Sequence, residues 1–325
     1  MTDVELVRRN TVEIVTDDEF AEVAQLSNPK VYCGYETSGP VHIGHLVTVT
    51  KLLEMERAGF AVKVLFADVH TRLNRKGEGE WIQRMVSYWT ECFKGLGLDR
   101  AQYVKGSDFQ FGRQYVSDVL TLALEVTMNR ALRSMQEVAR DIDNARVSQV
   151  IYPLMQIVDI KALDVDVAYG GLEQRKIHML AREVLPAIGA RKPVCVHTPL
   201  LCSLQGPQSK MSSSRPETII SVDEDEQGIR KKLKSAWCPP EEDGNPVLDT
   251  CKLILFPRLG SLRVSRPAKY GGDVVYQSFA DLRSDYLERK LHPADLKETV
   301  AKGLAEVLEP VRKRLKETGT EYPKA

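Results

Sequence analysis

What this 325-residue chain lacks sets the first bounds. It has no net charge, because 45 Lys and Arg are balanced by 45 Asp and Glu. Bulk electrostatics therefore do not announce a nucleic-acid partner, and any RNA contact must rest on local clusters. No apolar run approaches the roughly 18 to 20 residues of a membrane span. The opening segment MTDVELVRRN has no apolar stretch of the kind a secretory leader needs. The six cysteines, Cys33, Cys92, Cys195, Cys202, Cys238 and Cys251, form no C-x-x-C pair. That spacing argues against a metal site and for reduced thiols in a cytoplasmic protein. There is no internal repeat and no low-complexity tract. What is present is a globular composition, 43% hydrophobic, in a chain long enough for two domains.

The hydrophobic pattern alternates strands with helices. Thr16 to Glu19 reads as a capping box opening a helix over Asp17–Leu26. Val31–Tyr35 is a first apolar strand, and Ser38-Gly39-Pro40 a turn. Leu46, Val49 and Leu53 recur at helical spacing and predict a helix over Ile43–Arg57, stopped by Gly59. Ala61–Val69 is almost continuously apolar and predicts a buried parallel strand. Further strands are expected at Ala101–Val104, Val165–Ala168 and Val194–His197. The expected fold is α/β, a Rossmann-like doubly wound parallel sheet. A helical insertion at about 108–145 interrupts it. Within that insertion Gln114–Met128 carries Val116, Val119, Leu120, Ala123 and Leu124, and Arg130–Arg140 carries Leu132, Met135 and Val138. These stripes fit either burial on the sheet or a dimer interface. A boundary near 220 separates a catalytic domain, 1–220, from a smaller and mostly helical domain, 221–325. Asp223–Ala236 opens the second domain as a helix with acids first and bases last, as the helix dipole favours. A β-ribbon is expected around Leu262 and Val274.

Two motifs carry chemistry. His42-Ile43-Gly44-His45 follows the first strand and opens a helix, where free N–H groups and the dipole attract anions. Gly44 leaves room for a nucleotide, and His42 and His45, three apart, share a face. Lys210-Met211-Ser212-Ser213-Ser214 follows a loop of Gly, Pro, Ser and Gln, from which a lysine can reach a polyphosphate. Alone, each has a plain alternative: two surface histidines, or a polar linker.

Together, in this order around the strands, they resemble the HIGH and KMSKS signatures of the class I aminoacyl-tRNA synthetases, with Ser213 in the place of the commoner second lysine. The intervening stretches narrow the resemblance to the tyrosyl-tRNA synthetases of archaeal and eukaryotic type. They are Tyr32 to Gly39, Leu65 to His70, Tyr152 to Asp159 and Gly170 to His178, continuing through Arg266 to Asp273 and Leu291 to Leu296. Thr37 stands where proline is usual.

That resemblance implies a tyrosine–tRNA ligase that uses ATP, with Mg2+, to make tyrosyl-adenylate and then charges tRNA(Tyr). It implies that Tyr32 and Asp159 meet the phenol. Tyr152, Gln156 and Gln174 would hold the amino group, Glu36 would lie near the amino-acid and ribose end, and Leu65, Ala67 and His70 would line the same pocket. The spacing of Tyr152, Gln156 and Asp159 independently puts them on one helix face, facing either a polar pocket or water. His42, His45 and Lys210 would be catalytic, and Gly44, Met211, Ser212 and Ser213 would complete the ATP site with no protein-bound metal. Arg175 and Lys176 would meet the tRNA acceptor end, and Tyr270, His292 and Asp295 the anticodon. A homodimer is expected. The competing readings are a tryptophanyl-tRNA synthetase and a catalytically inactive RNA-binding paralogue.

Overall fold

The computed structural model describes residues 2–135, 146–209, 211 and 215–324. A first helix, α1 (Val4–Arg8), precedes strand β1 (Glu13–Val15). The chain continues through α2 (Asp17–Val23), β2 (Lys30–Tyr35), α3 (Ile43–Arg57), β3 (Ala61–Phe66), α4 (Asp68–Leu73), α5 (Gly79–Gly95) and β4 (Gln102–Lys105). Helices α6 (Arg113–Glu125), α7 (Met128–Ser134) and α8 (Val147–Ala162) follow, then β5 (Val167–Gly171), α9 (Arg175–Val184) and β6 (Val194–Thr198). The C-terminal part is mostly helical. It contains α10 (Glu226–Ser235), α11 (Pro246–Thr250), α12 (Phe256–Leu259), a ribbon of β7 (Leu262–Val264) and β8 (Val274–Tyr276), α13 (Phe279–Leu287) and α14 (Pro293–Thr318).

The main sheet has the order β1-β6-β5-β2-β3-β4. Strands β2 to β6 are parallel and β1 joins the edge antiparallel to β6. Alternate residues of the central strands feed two cores, as the pleat requires. Val31, Cys33, Val167, Tyr169, Val194 and Val196 face one. Tyr32, Ala168 and Cys195 face the other. The first core runs on into the C-terminal helices. There α14 lies so close to α5 that a Cβ at Gly95 would sit 2.7 Å from Val311 Cα. The winding reverses between β2 and β5, the position where open α/β sheets leave a crevice for ligands.

The predicted Ile43–Arg57 helix is reproduced residue for residue, and Thr16 forms its expected capping box. Other expectations shift. The predicted strand Ala61–Val69 ends at Phe66, because the chain turns at Asp68, whose carboxylate takes the N–H of Val69 and of Ser107 at 2.9 Å each. The strand expected at Val165–Ala168 runs instead over Val167–Gly171, paired with β6 through Gly171. The helix expected over Asp223–Ala236 begins only at Glu226, capped by Asp225 on Gly228 N–H. Asp223 and Glu224 instead make side-chain contacts to Tyr88 and Lys232. Helix α2 stops at Val23, three residues short of Leu26. The insertion helices are α6 and α7, and Val138 lies outside the described residues.

Candidate active site

A cavity of about 600 Å³ opens at the carboxyl ends of β2 and β5. All nine residues expected around the amino acid line it: Tyr32, Glu36, Leu65, Ala67, His70, Tyr152, Gln156, Asp159 and Gln174. His42, Gly44, His45 and Met211 line it as well. Tyr152 and Asp159 are 5% and 1% exposed, so that face of α8 meets the cavity and not water.

Asp159 sits at the buried end. Its Oδ1 accepts from Gln110 Nε2 and from the Tyr115 hydroxyl, both at 2.8 Å. Its Oδ2 makes no hydrogen bond among the described residues, and His70 Nε2, also unpartnered among them, stands 3.9 Å away. Burial pushes the Asp159 carboxyl up; His70 and the two donors oppose that shift. Burial likewise raises Tyr32, which feels the Asp159 charge, so its hydroxyl stays protonated. A buried oxygen with spare lone pairs beside a protonated phenol is a site for a small hydroxyl. Gln110 and Tyr115, which hold Asp159, were not legible in the sequence. They belong to the insertion, and only the need of a buried carboxylate for donors points to them.

At the other end Glu36 Oε1 accepts from Tyr152 and from Asn74, both at 2.7 Å, and Lys76 pairs with its Oε2. Gln156 Nε2 donates to Gln174 Oε1 at 2.9 Å. The four expected residues therefore form two linked pairs: Tyr152 with Glu36, and Gln156 with Gln174. Glu173, which the sequence reading passed over, also lines the cavity with Oε2 unpartnered, and burial raises its carboxyl.

The histidine pair departs from expectation in one respect. The N–H groups at the start of α3 are not free. Ile43 N–H goes to Ile220 O at 2.9 Å, Gly44 N–H to His42 Nδ1 at 3.1 Å, and His45 N–H to His42 O at 2.8 Å. What the helix presents is side chains. His45 Nδ1 accepts from His42 N–H at 3.1 Å, so in both rings Nδ1 is the acceptor and the proton is assigned to Nε2. Burial brings His42 down to about 4, and His45 well below its usual value with His42 adding to the effect. Both rings are neutral N–H donors at pH 7. Gly44 also gives room within the protein itself. A Cβ there would lie 2.9 Å from His42 Cε1 and 3.1 Å from Met211 Sδ, so glycine makes room for those two side chains.

Lys210, Ser212 and Ser213 lie outside the described residues. Past them in the chain, Val222 N–H bonds Val41 O at 2.9 Å, one residue before His42. Arg175 pairs with Glu13 at 2.6 Å, and Lys176 is exposed beside it on α9. Tyr270 is 63% exposed. Its turn is tied by Arg266 to Lys290 O at 2.8 Å, next to His292, which caps α14, and Asp295 in its first turn. None of these three lines the cavity. Among the described residues no group of three or more His, Cys, Asp or Glu side chains could hold a metal ion, and no helix is long and apolar enough to cross a membrane.

A family profile described as tRNA synthetases class I (W and Y) matches residues 25–309. A tyrosine–tRNA ligase of Methanoculleus marisnigri is 50% identical over 311 residues, covering 96% of this chain and 98% of its own. One from Methanosarcina acetivorans is 47% identical over 319 residues, covering 97% and 100%. The crystal structure of tyrosyl-tRNA synthetase from Archaeoglobus fulgidus, complexed with L-tyrosine, superposes with a TM-score of 0.93 at 48% identity, covering 96% of this chain and 98% of the other. With two neutral histidines at the head of α3 and a carboxylate at the foot of the cavity, this chain belongs to the class I aminoacyl-tRNA synthetases, in the tyrosine–tRNA ligase family.

Proposed function

We propose that the cavity activates L-tyrosine with ATP and passes it to the 3′-terminal ribose of tRNA(Tyr), and that the residues divide the work as follows. Asp159 Oδ2 accepts the phenol proton and Tyr32 donates to the phenol oxygen. Asp159 is the observation that carries the reading. Its second oxygen is buried and bonds to none of the described residues, a cost that a phenol removes and an indole ring, which lacks the hydroxyl, does not. Gln156, Gln174 and Tyr152 face the amino group. Glu173 Oε2, beside the glycines that end β5, suits a ribose hydroxyl.

The tyrosine carboxylate then attacks the α-phosphorus of ATP. A C–O–P bond forms, the bond to the bridging oxygen breaks, and pyrophosphate leaves. No covalent enzyme intermediate is needed, so catalysis rests on placement and charge stabilisation. His42 and His45, neutral with Nε2–H free, donate to the phosphoryl oxygens without gaining a proton. Lys210, with Ser212 and Ser213, receives the pyrophosphate. Magnesium would come with the triphosphate as its counter-ion.

We further assign residues 1–220 to catalysis and 221–325 to the anticodon. Arg175 and Lys176 face the acceptor end, and Tyr270, His292 and Asp295 the anticodon bases. Val116, Leu120 and Leu124, one face of α6 at 43%, 63% and 87% exposure, form a two-fold interface. The enzyme works in the cytoplasm. ATP–pyrophosphate exchange with tyrosine and tryptophan in parallel tests the central claim. Exchange with tyrosine alone is expected. Equal exchange with tryptophan overturns it, and none with either amino acid would favour an inactive paralogue.

A further inference from the structure

A second histidine pair lies where the mechanism above assigns no work. His178 on α9 and His197 on β6 are 1% and 0% exposed. Their rings stack with centroids 5.1 Å apart, and His178 Nδ1 is 2.9 Å from His197 Nε2. His197 Nδ1 in turn is 2.9 Å from Glu13 Oε1, a close contact that does not meet hydrogen-bond geometry. Glu13 is the register partner of His197 across β1 and β6. The same Oε1 takes Arg175 Nε at 2.6 Å, which marks Glu13 as a carboxylate.

A carboxylate only accepts. A bare lone pair on His197 Nδ1 would face that carboxylate at 2.9 Å and be repelled, and this repulsion sets the tautomer of the pair. His197 carries its proton on Nδ1, toward Glu13. Its Nε2 is then a lone pair, so His178 must donate from Nδ1. The last atom, His178 Nε2, is left without a proton. It makes no hydrogen bond to any described residue, yet it is not among the buried unpartnered atoms, and His178 lines the cavity. Burial holds His178 down to about 3, so the ring is neutral at pH 7 and the lone pair persists. The polarity is opposite to that of His42 and His45, whose Nε2 atoms are donors.

We propose that His178 Nε2 is a hydrogen-bond acceptor for an N–H or O–H donor of the bound substrate, with His197 and Glu13 as the positioning residues that keep it unprotonated. The neighbourhood fits such a ligand group. His178 follows Gln174 by four residues, and a Cβ on Gly170 would lie 2.8 Å from Gln174 Cγ and 3.6 Å from His178 Cε1. The glycine thus leaves the end of β5 open beside both side chains. Two donors of the reactants share this chemistry, the amino group of tyrosine and a ribose hydroxyl of the nucleotide. The proposal rests on the tyrosine-activating reading for its choice of ligands, but its first test does not.

The protein has six histidines, so nitrogen-labelled histidine gives a resolvable spectrum. Long-range proton–nitrogen correlation should show His178 and His197 in the Nδ1–H form and His42 and His45 in the Nε2–H form. His178 in the Nε2–H form overturns the proposal whatever the substrate is. L-tyrosine and AMP are then added separately. The one that supplies the donor should move the His178 Nε2 resonance, and no movement at saturation with either overturns the proposal. His178→Phe should raise the KM of that same ligand about tenfold, as the loss of one hydrogen bond to a neutral acceptor does, and leave the other KM in place. Equal change in both, or in neither, overturns it. Glu13→Ala should mimic His178→Phe, and Glu13→Gln, whose amide oxygen still accepts, should restore the wild-type KM. A glutamine variant as impaired as the alanine one also overturns the proposal. Absence of tyrosine-dependent exchange in the wild type would strike the reading of the substrate instead, with the tautomer result deciding the proposal by itself.

Discussion

Asp159→Asn isolates the recognition of the phenol. Asp159 Oδ1 is held by two donors, Gln110 Nε2 and the Tyr115 hydroxyl, at 2.8 Å each. An asparagine must therefore turn its own oxygen to them, which puts its NH2 where Oδ2 was. The shape stays and one lone pair becomes a donor. A hydrogen bond to a charged acceptor contributes about 1.5 to 3 kcal/mol, so kcat/KM for tyrosine should fall roughly 10- to 150-fold. Phenylalanine never makes this bond. In the wild type it strands a buried carboxylate oxygen, and the variant relieves that cost, so activation of phenylalanine should hold or rise. A site built to hydrogen-bond a hydroxyl rejects the analogue lacking it, a rule itself established on a tyrosyl-tRNA synthetase. The tyrosine-to-phenylalanine ratio should then drop by at least about tenfold, read by ATP–pyrophosphate exchange with both amino acids. Tyr32→Phe, which removes the other partner, should lower it by a similar factor. Asp159→Ala is a less clean probe because it also strands Gln110, while Tyr115 keeps Met155 O at 2.8 Å. A ratio unchanged in both Asp159→Asn and Tyr32→Phe, with thermal melts intact, would refute the placement of the phenol.

Lys210→Ala should slow adenylate formation by roughly 10²-fold or more, the effect of losing one transition-state charge contact, with tyrosine binding unchanged in equilibrium titration; unaltered pyrophosphate exchange would remove the loop from the mechanism. Leu120→Glu with Leu124→Glu should turn a dimer into a monomer by sedimentation at micromolar concentration, and a wild type that already sediments as a monomer defeats the interface. Asp295→Ala should impair tRNA charging and spare pyrophosphate exchange; if both fall together, the residue serves folding. His42, brought down to about 4 by burial, and His45, lowered further, are neutral in the fold. Their contribution to stability is therefore complete above the unfolded value near 6.5 and drains as pH falls from there toward 4. Adenylate formation should show no histidine limb near pH 6.5, and a limb there that disappears in His42→Asn would contradict the neutral pair.

The sequence disclosed the parts of this molecule that obey a period. Strand β3 falls in the almost continuously apolar stretch Ala61–Val69, and α3 carries its own start and stop signals. Strand β1, by contrast, is three half-buried residues on the sheet edge. It exists because Glu13, Ile14 and Val15 find β6 in register, a partner some 180 residues away that no local pattern names. The boundary errors share a cause. Asp68 and Asp225 end or begin elements through side-chain bonds to particular N–H groups, and the same residues would have suited several neighbouring positions. The site shows the same division. Tyr152, Gln156 and Asp159 could be placed on one face by counting along α8. Gln110 and Tyr115, which hold Asp159 from 49 and 44 residues away, could not, because their role exists only once the insertion folds over the sheet.

The polar atoms left without partners among the described residues trace the substrate more sharply than the apolar walls do. Native interiors pair nearly all of their buried polar groups, so exceptions that share one cavity call for a common explanation. Asp159 Oδ2, His70 Nε2 and Glu173 Oε2 are such exceptions, and all three residues line the same cavity. Two of the three are carboxylate oxygens, which can only accept while ionised. A ligand that satisfies them must bring hydrogens at both ends: one at the foot of α8 and another beside the glycines of β5. His42 and His45 face the same space as donors, so between those ends the ligand must bring acceptors. Hydrogens at the two extremes and negative oxygens in the middle describe an aminoacyl-adenylate with a phenolic side chain. Neither ATP nor tyrosine alone meets both demands, so on the proposed reading the joined product of the first step would engage more of these polar atoms than either reactant.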